Sequence, residues 1–452
     1  MFLLRALCNK NKTSLASLHG SNENDNNVTR IKDAGFCTGC GTCAGVCPSS
    51  AIEIERDSHG TFLPVIDSKK CTRCTFCLRI CPAYLTDSKR LSDFVFGKSS
   101  NDTSIGIVIN CYIGYSVEEK VLLNASSGGV VTSLLLFSIK NQLIDGALVT
   151  KMRKDKPLES EMIIARAKKD VVESAGSKYC PTSMSAAIKT IRSQEGKFAV
   201  VGLPCQIKGI RKAEMLDEKL RDKIAIHIGL FCSHTVNFIG TDLLLRRMGI
   251  CRDDIVSLRY RGGGWPGDMS VKLRNGNEIK LPYRDYWNGL FGAFFFTPVC
   301  CTVCADATNE LADLSVGDPW LPELRVGHEG WSLVVVRTEV GQRYLDLARD
   351  YGYLHTQCIH SSAVKTAQLY NLIFKKRALG TRIHFLHSLK RTKYLVPSQF
   401  ADWNVRYYLS TFLVYLNIRA SSSRRVQSFL KYAPLGLLKI YFKFVCASIL
   451  LV

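Results

Sequence analysis

"CTGCGTCAGVCP" at residues 37–48 decides the fold of the first part of the chain, because "CTRCTFCLRICP" at residues 71–82 repeats its spacing. Both runs follow C-x2-C-x2-C-x3-C-P, the spacing by which small iron–sulfur proteins hold two 4Fe–4S clusters. The fourth cysteine of each run then binds the cluster of the other run. A pair of zinc sites is the alternative, but zinc favours two CxxC pairs over eight cysteines in a doubled pattern.

These eight cysteines predict a two-cluster ferredoxin domain of the α+β class at residues 34–90. Between the runs, residues 51–67 alternate apolar and polar side chains and break at His59-Gly60, which predicts a small hairpin. Such clusters move one electron at a time, so the domain is expected to conduct electrons. The first cluster is predicted on Cys37, Cys40, Cys43 and Cys81, and the second on Cys71, Cys74, Cys77 and Cys47.

Composition supports a globular protein of several domains in a reducing compartment. The chain has 452 residues, of which 46% are hydrophobic and 22% are charged. Its 19 cysteines, without a secretory signal, indicate metal ligands and a cytoplasmic location rather than secreted disulfides. Residues 1–33, which include "SNENDNN" at 21–27, are predicted to be a disordered leader, with a transit peptide as the weaker alternative.

Residues 105–365 alternate strands and helices, which predicts an α/β domain with a mixed sheet. Asn275-Gly276 stands between alternating arms and predicts a hairpin. No G-x-G-x-x-G run follows a predicted strand, so a Rossmann fold lacks its main signal. Strands are predicted at 104–115, 144–150, 197–204, 223–232 and 331–338, and helices at 126–142 and about 341–350.

Several loops of this domain are rich in glycine and small polar residues. "SSGGVVT" at 126–132 places backbone N–H groups at a helix start, which favours a phosphate or pyrophosphate, although a plain helix cap explains it as well. The loops "GSKYCP" (176–181), "VGLPCQ" (201–206) and "YRGGGWPGD" (260–268) are comparable. His227 lies in an apolar strand and is expected to be a hydrogen-bonded core histidine.

The order and spacing of these motifs resemble the β-subunit family of coenzyme F420 hydrogenases and dehydrogenases over about residues 34–365. The resemblance is carried by "SSGGVVTSLLLFSIKNQLIDGALV", "GSKY", "GLPCQIKGIRK", "GLFC", "CTVCADATNELADLSVGD" and "WSLVVVRT". It implies a bound FAD that exchanges electrons with iron–sulfur clusters, and its implied contacts are Ser127, Gly128, Gly129, Thr132, Gly176, Ser177, Lys178 and Tyr179.

Within that set, Lys178 is expected to neutralise the pyrophosphate or the N1 region of the flavin, unless it is a solvated surface lysine. Asp313 and Asp318 are either turn formers or hydrogen-bond partners of the flavin ring.

The resemblance also implies a third 4Fe–4S cluster in the central domain. Its ligands would be Cys205, Cys232, Cys301 and Cys304, and Cys300 would be a spare thiol. The alternative is that Cys205 or Cys232 is a buried apolar thiol or a reactive nucleophile.

The chain is therefore expected to be an FAD- and iron–sulfur-dependent oxidoreductase that passes electrons between a hydride-exchanging substrate and its clusters. A reductase of surface-polysaccharide biosynthesis is one such function. The alternative is a non-catalytic electron-transfer subunit of a membrane-associated redox complex. Its partner would be a redox protein or a small-molecule electron donor or acceptor.

Residues 366–452 form a basic tail that is predicted to be helical. From residue 365 to the end, the chain has 15 Lys and Arg and one acid, so most of its net charge of +21 lies there. Cationic and apolar residues alternate at helical spacing, which favours peripheral contact with the inner face of a membrane over nucleic acid. The alternative is that these helices pack on the core.

Overall fold

The computed structural model describes residues 26–84, 87–100, 102–324, 330–389 and 403–450. Most of the predicted leader, residues 1–25, and residues 390–402 of the tail lie outside the described residues. The strands are β1 Ile52–Arg56, β2 Phe62–Ile66, β3 Asn110–Ser116, β4 Gly146–Met152, β5 Ser160–Ala165, β6 Phe198–Gly202, β7 Ile224–Leu230, β8 Ile255–Arg259, β9 Asp268–Leu273, β10 Glu278–Pro282, β11 Leu314–Gly317, β12 Ser332–Val336 and β13 Leu354–Ile359.

The helices are distributed over both domains and the tail. They are α1 Thr29–Asp33, α2 Thr42–Val46, α3 Phe76–Arg79, α4 Ser88–Phe96, α5 Glu119–Asn124, α6 Val130–Lys140, α7 Lys168–Glu173, α8 Ser185–Ser193, α9 Pro204–Glu214, α10 Glu218–Lys223, α11 Phe238–Arg247, α12 Tyr283–Gly289, α13 Glu339–Asp350, α14 Ser361–Ala367, α15 Leu369–Leu372, α16 Leu379–Ser388, α17 Tyr408–Ala420, α18 Arg424–Tyr432 and α19 Leu435–Leu450.

The ferredoxin domain is built around the predicted hairpin. Strands β1 and β2 pair antiparallel, with Ile52 opposite Ile66 and Arg56 opposite Phe62. Helix α1 lies within the segment predicted to be a leader, and it buries Val28 and Ile31 against the domain core. The predicted leader boundary at residue 33 therefore corrects to a point before Val28, since those two apolar side chains need a core to cover them.

The central domain contains an eight-stranded mixed sheet, which confirms the predicted α/β class. The strand order is β13-β3-β12-β11-β7-β6-β4-β5, and the four strands β4, β6, β7 and β11 run parallel. Strands β8, β9 and β10 form a separate antiparallel sheet, whose β9–β10 hairpin turns at the predicted Asn275-Gly276. Parallel strands place their carboxyl ends at one edge, where α/β proteins bind ligands.

Alternating side chains of the parallel strands point into two different cores. Ala199 and Val201 of β6 join α6 and α13 on one face of the sheet. Phe198 and Val200 join α8, α9 and the ferredoxin domain on the other face. Because both faces of the sheet are covered, the side chains on each face are apolar. These strands therefore have continuous apolar sequences.

Glycines allow the ferredoxin domain to dock closely on α8 and α9. A Cβ at Gly45 would lie 2.7 Å from Ile188 Cβ, and a Cβ at Gly209 would lie 2.6 Å from Thr42 Oγ1. Lys212 also donates from Nζ to the carbonyl oxygen of Cys81 at 2.7 Å. The first cysteine run is therefore held directly against the central domain.

The first half of the basic tail packs on the core, which favours that alternative for this part of the chain. Arg382 of α16 donates from Nε to Thr302 O at 2.6 Å, and Asn417 of α17 donates from Nδ2 to Ala293 O at 2.8 Å. Val414 and Arg382 are 0% and 1% exposed. These helices belong to the folded body, and the high charge of the tail does not keep them in water.

Candidate iron–sulfur and cofactor site

The first cysteine set surrounds the α2 segment and is mostly buried. Burial, together with the nearby Cys40 and Cys81 thiols, raises the pKa of the Cys37 thiol to about 12. The pKa of Cys43 is raised in the same way by burial and by Cys40, Cys37 and Cys81. Four thiols that repel one another's charge in a buried site fit a bound iron–sulfur cluster, because cysteine ligates iron as the thiolate and the iron compensates that negative charge.

The second set lies nearer the surface, as Cys74 is exposed. Burial raises the pKa of the Cys77 thiol, and Cys47, Cys74 and Cys71 raise it further. A small cavity is lined by all four of these cysteines. The grouping joins three cysteines of the second run to Cys47 of the first run, which is the crossed pairing that the spacing predicts.

The third predicted set is brought together from three distant segments. Cys205 lies in the first turn of α9 after β6, and Cys232 follows β7, the parallel neighbour of β6. Asn309 ties the two strand ends together by donating from Nδ2 to Gly202 O at 2.8 Å and to Leu230 O at 3.2 Å. The carboxyl edge of the sheet therefore positions both cysteines.

Cys301 and Cys304 complete this set from the turn at Val299–Val303. Burial, together with Cys301 and Cys304, raises the pKa of Cys232 to about 12, although Lys375 acts to lower it. The thiol of Cys300 hydrogen-bonds Cys301 and lowers the pKa of Cys301 to about 7. Cys300 therefore contacts a predicted ligand, and is more than the spare thiol expected from sequence.

Buried cations from the tail surround the third set. Lys375 is 1% exposed and donates from Nζ to Cys304 Sγ at 3.5 Å and to Asp306 O at 2.7 Å. Burial alone would lower the pKa of Lys375, but the sulfurs of Cys304, Cys232 and Cys301 raise it above its ordinary value. Arg382 lies beside it, with its guanidinium carbon 3.8 Å from the ring centre of Phe374. A buried cationic side chain of this kind needs a negative group to compensate it.

The first cysteine set is a neighbour of each of the other two. Cys77 of the second set raises the pKa of Cys43 of the first by electrostatic repulsion, so these two sets are neighbours. Cys40 of the first set acts in the same way on Cys205 of the third, in addition to the larger effect of burial. The first set therefore lies near both of the others, as electron transfer through all three would require.

A single metal ion and a four-iron cluster place different demands on the four sulfurs that hold them. Among the described residues, no group of three or more His, Cys, Asp or Glu side chains is arranged to hold one metal ion. One tetrahedral zinc ion would draw its four sulfurs to about 3.8 Å from each other, given a Zn–S bond of about 2.3 Å. A cube of four irons and four sulfides holds its thiolates farther apart than that.

The loops predicted to bind FAD converge at the same edge of the sheet. The Ser177 N–H donates to Ser126 Oγ at 2.6 Å, which joins the 176–179 loop to the 126–132 loop. Ser127 Oγ hydrogen-bonds Ser332 Oγ at 2.8 Å, at the start of β12. Gly129 is left-handed (φ 74°) and begins α6, and Thr132 is buried on that helix.

Several of the predicted FAD donors are already engaged within the chain. The Gly128 N–H donates to Ser332 Oγ at 2.9 Å, and a Cβ at Gly128 would lie 2.3 Å from Gly114 O. The glycine is thus required by close strand packing. A flavin would therefore have to bind to the backbone groups of these loops that are not engaged in such contacts.

The ammonium group of Lys178 is held by backbone carbonyls of its own loop. Its ammonium group donates to the carbonyl oxygens of Ser174, Ala175 and Gly176, the last at 2.8 Å, and so caps the end of α7. Burial and the nearby Arg259 lower the pKa of Lys178 to about 7. The solvated-lysine alternative is therefore wrong, because three carbonyl oxygens just past α7 hold the ammonium group, while the contact with a pyrophosphate or flavin stays a prediction.

The ion pair at the centre of the converging loops was not predicted from the sequence. Arg261, 1% exposed, donates from Nη1 to Asp318 Oδ2 at 2.7 Å and also binds Ser126 O. Trp265 Nε1 donates to Asp318 Oδ1 at 2.8 Å. Asp318 follows β11. It is a hydrogen-bond partner, and the group that it binds is the guanidinium of Arg261. The glycine-rich run at 260–268 was the available signal.

Aromatic contacts connect these loops to the third cysteine set. The Tyr179 and Trp287 ring centres are 4.9 Å apart, and the Trp287 and His234 ring centres are 5.4 Å apart. His234 is two residues beyond Cys232. A run of aromatic side chains therefore leads from the 176–179 loop toward the third set.

The other predicted polar residues form a separate buried network. His227 is 2% exposed and hydrogen-bonds Asp313 Oδ2 at 3.1 Å and Glu214 Oε1 at 2.6 Å, as expected of a core histidine. Arg211 pairs with Asp313 at 3.1 Å. Asp313 therefore stabilises the sheet and does not reach the loops that hold Tyr179.

Comparison with protein families gives three matches along the chain. The N-terminal and C-terminal domains of the coenzyme F420 hydrogenase/dehydrogenase β subunit match residues 111–189 and 195–362. A 4Fe–4S dicluster domain matches residues 36–84.

Individual proteins show the same relationship. An uncharacterised protein of Methanocaldococcus jannaschii is 29% identical over 347 residues, covering 72% of this chain and 89% of its own length. One subunit of the F420H2 dehydrogenase of Methanosarcina mazei is 27% identical over 329 residues, covering 72% of this chain and 85% of its own length.

A solved structure shares the fold. A chain of the F420-reducing NiFe hydrogenase complex from Methanosarcina barkeri aligns with a TM-score of 0.50 at 23% identity. The alignment covers 63% of this chain and 96% of that chain.

Proposed function

The chain belongs to the β-subunit family of coenzyme F420 hydrogenases and dehydrogenases, an oxidoreductase family, and we propose that it transfers electrons through three 4Fe–4S clusters. The matched dicluster domain supports the first two clusters. The third, on Cys205, Cys232, Cys301 and Cys304, rests on one observation: four thiols from three distant segments meet beside the buried ammonium of Lys375.

The residues around the third set explain how a charged cluster is tolerated there. Each cluster, when bound, accepts or donates one electron, and its thiolates leave it negatively charged. Lys375 compensates that charge at 3.5 Å from Cys304 Sγ, and the Cys300 thiol hydrogen-bonds Cys301. Asn309 fixes the two strand ends that carry the other cysteines.

Iron and acid-labile sulfide analysis tests the number of clusters. Three cubes require about 12 iron atoms per chain, and the ferredoxin pair alone requires about eight. Cys301→Ser should lower the iron content by about four atoms, and Cys300→Ser should leave it unchanged because serine keeps a hydrogen-bonding hydroxyl. A wild-type content of about eight would exclude the third cluster.

We extend the proposal to a bound FAD at the loops around Ser127, Ser177 and Tyr179. The support is their convergence at the carboxyl edge of the sheet, with aromatic contacts leading toward Cys232. The test is the flavin released when anaerobically purified protein is denatured. About one flavin per chain is expected for one such site, and protein with its full iron content but no flavin would refute this part.

The second candidate is an electron-transfer subunit without turnover of its own. It is favoured by the name of the Methanosarcina mazei relative, a dehydrogenase subunit, which suggests a redox partner protein for this chain. The protein should be reduced with dithionite and mixed with F420, NADH or a quinone. Reoxidation by one of these small molecules supports an enzyme, whereas reoxidation only by a partner protein supports the subunit. A role in surface-polysaccharide biosynthesis stays a prediction.

A further inference from the structure

The last two helices carry an apolar surface that the described residues do not cover. We name it the α18–α19 face. It consists of Phe429, Tyr432, Leu437, Ile440, Phe444 and Leu450, which are 62%, 74%, 52%, 67%, 51% and 44% exposed. On α19, positions 437, 440 and 444 follow helical spacing and lie on one side. The described part of the chain thus leaves a stripe of large apolar side chains in water.

The opposite side of α19 is packed firmly on the protein. Val445 and Ile449 are 0% exposed, and Lys439 pairs with Asp285 of α12 at 2.5 Å. Arg247 holds the junction of the two helices by donating from Nη2 to Ala433 O at 3.0 Å. Apart from Lys439 and Lys443, α19 is apolar on both sides, and a helix of that kind is normally enclosed on every side. Here one side is enclosed by the protein, so the other side needs a different apolar environment.

The charge around the face identifies that environment. Residues 403–450 contain seven Lys and Arg and no Asp or Glu. Beside the first turn of α18, a cavity of about 510 Å³ is lined by Arg246, Arg252 and Arg424, with Asp242 as its acidic lining residue. An apolar stripe flanked by positively charged side chains complements the surface of a bilayer that contains anionic lipid.

The packing also decides between lying on a membrane and crossing it. In the described residues no single helix is long and apolar enough to span a bilayer, although α18 and α19 pass together by length and composition despite a bend of 115°. Spanning would require α19 to leave its contacts at Val445 and Ile449 and to break the Lys439–Asp285 pair. A bent helix pair that is held to the protein along one side is suited to lie at the surface of a membrane.

We propose that the α18–α19 face docks the protein on the surface of a membrane containing anionic lipid, with Phe429, Ile440 and Phe444 inserted and Arg424 and Arg425 at the headgroups. Docking uses neither the cysteine sets nor the converging loops. It therefore holds or fails separately from the proposed electron transfer.

The test is co-sedimentation of the cluster-loaded, full-length protein with vesicles. Vesicles of phosphatidylcholine with about 30% phosphatidylglycerol should bind the protein at least about tenfold more tightly than phosphatidylcholine alone, and about 0.5 M NaCl should reduce that difference. Ile440→Glu/Phe444→Glu should lower binding by about 100-fold or more, since charged side chains enter the interface poorly.

A matched control places the same charges elsewhere. Val117→Glu/Val256→Glu alters two apolar side chains that are 58% and 53% exposed outside the face, and it should bind like the wild type. Unchanged iron content in all variants shows that they remain folded.

Three results would overturn the proposal. Binding of Ile440→Glu/Phe444→Glu equal to wild type would show that the face is not inserted. A wild-type dimer that this variant dissociates, without vesicle binding, would assign the face to a second copy of the chain. Binding that appears only after removal of residues 2–25 would assign it to the chain's own N-terminus.

Discussion

Replacing Lys375 by Met should lower the midpoint potential of one cluster and leave the other two unchanged. The ammonium group lies 3.5 Å from Cys304 Sγ and is 1% exposed, so water screens it poorly. An added electron spread over a cube about 6 Å away interacts with this charge by about 3 kcal/mol at an effective dielectric constant of about 20. Because about 59 mV corresponds to a tenfold change for one electron, which is about 1.4 kcal/mol, the loss amounts to about 130 mV.

The sign follows from the charge. A cation favours the more negative, reduced cluster, so its removal makes reduction harder and moves the potential to more negative values. An anaerobic redox titration followed by electron paramagnetic resonance separates the clusters. Lys375→Arg should keep the wild-type potential, and Lys365→Met should also keep it, since that lysine pairs with Asp102 at the surface. A shift below about 30 mV with iron content intact would refute the electrostatic role.

Three further predictions concern stability, measured by anaerobic urea unfolding or proteolysis. Burial lowers the pKa of His227, but the neighbouring carboxylates raise it, and the result lies above 6.5. The stability that protonated His227 gives the fold is therefore complete below pH 6.5 and is lost as the pH rises through the folded-state pKa. His227→Gln should flatten that decline, and parallel pH profiles would contradict this. Gly209→Val should cost about 1–3 kcal/mol by overpacking and speed proteolytic release of the ferredoxin domain, whereas Gly436→Ala, with open space around its Cβ, should not. Asp318→Ala should cost about 3–5 kcal/mol because Arg261 stays buried without its carboxylate, and a loss under about 1 kcal/mol would show that the pair is dispensable.

The ferredoxin cysteines could be predicted from sequence because their geometry is local. Runs of twelve residues fix which thiols surround each cluster, and the crossed ligands Cys47 and Cys81 follow from the doubled pattern. The third set spans about 100 residues and was reached only through the family resemblance. The structure supplies its physical basis, since parallel strands end at one edge and carry Cys205 and Cys232 there.

The partners of these sites could not be predicted, because they depend on contacts between distant segments. Arg261 and Asp318 are 57 residues apart, and neither lies in a pattern that specifies a pair. Lys178 stood in the expected loop, yet the nearest acceptors of its ammonium are carbonyls at the end of α7. A lysine's charge can be read from sequence, whereas the group that compensates it depends on packing.

The basic tail shows why the sum of charges over a segment does not predict one role. Lys375 and Arg382 are each 1% exposed and lie beside the third cysteine set, while Arg424 is exposed at the start of α18. A buried cation acts on a cluster over a few ångströms, whereas exposed cations act on a lipid surface through water and salt. The two roles should therefore separate in variants of the same tail. Lys375→Met should shift a potential without changing vesicle binding, and Ile440→Glu/Phe444→Glu should do the reverse. Loss of both properties in either variant would show that the tail acts as one unit.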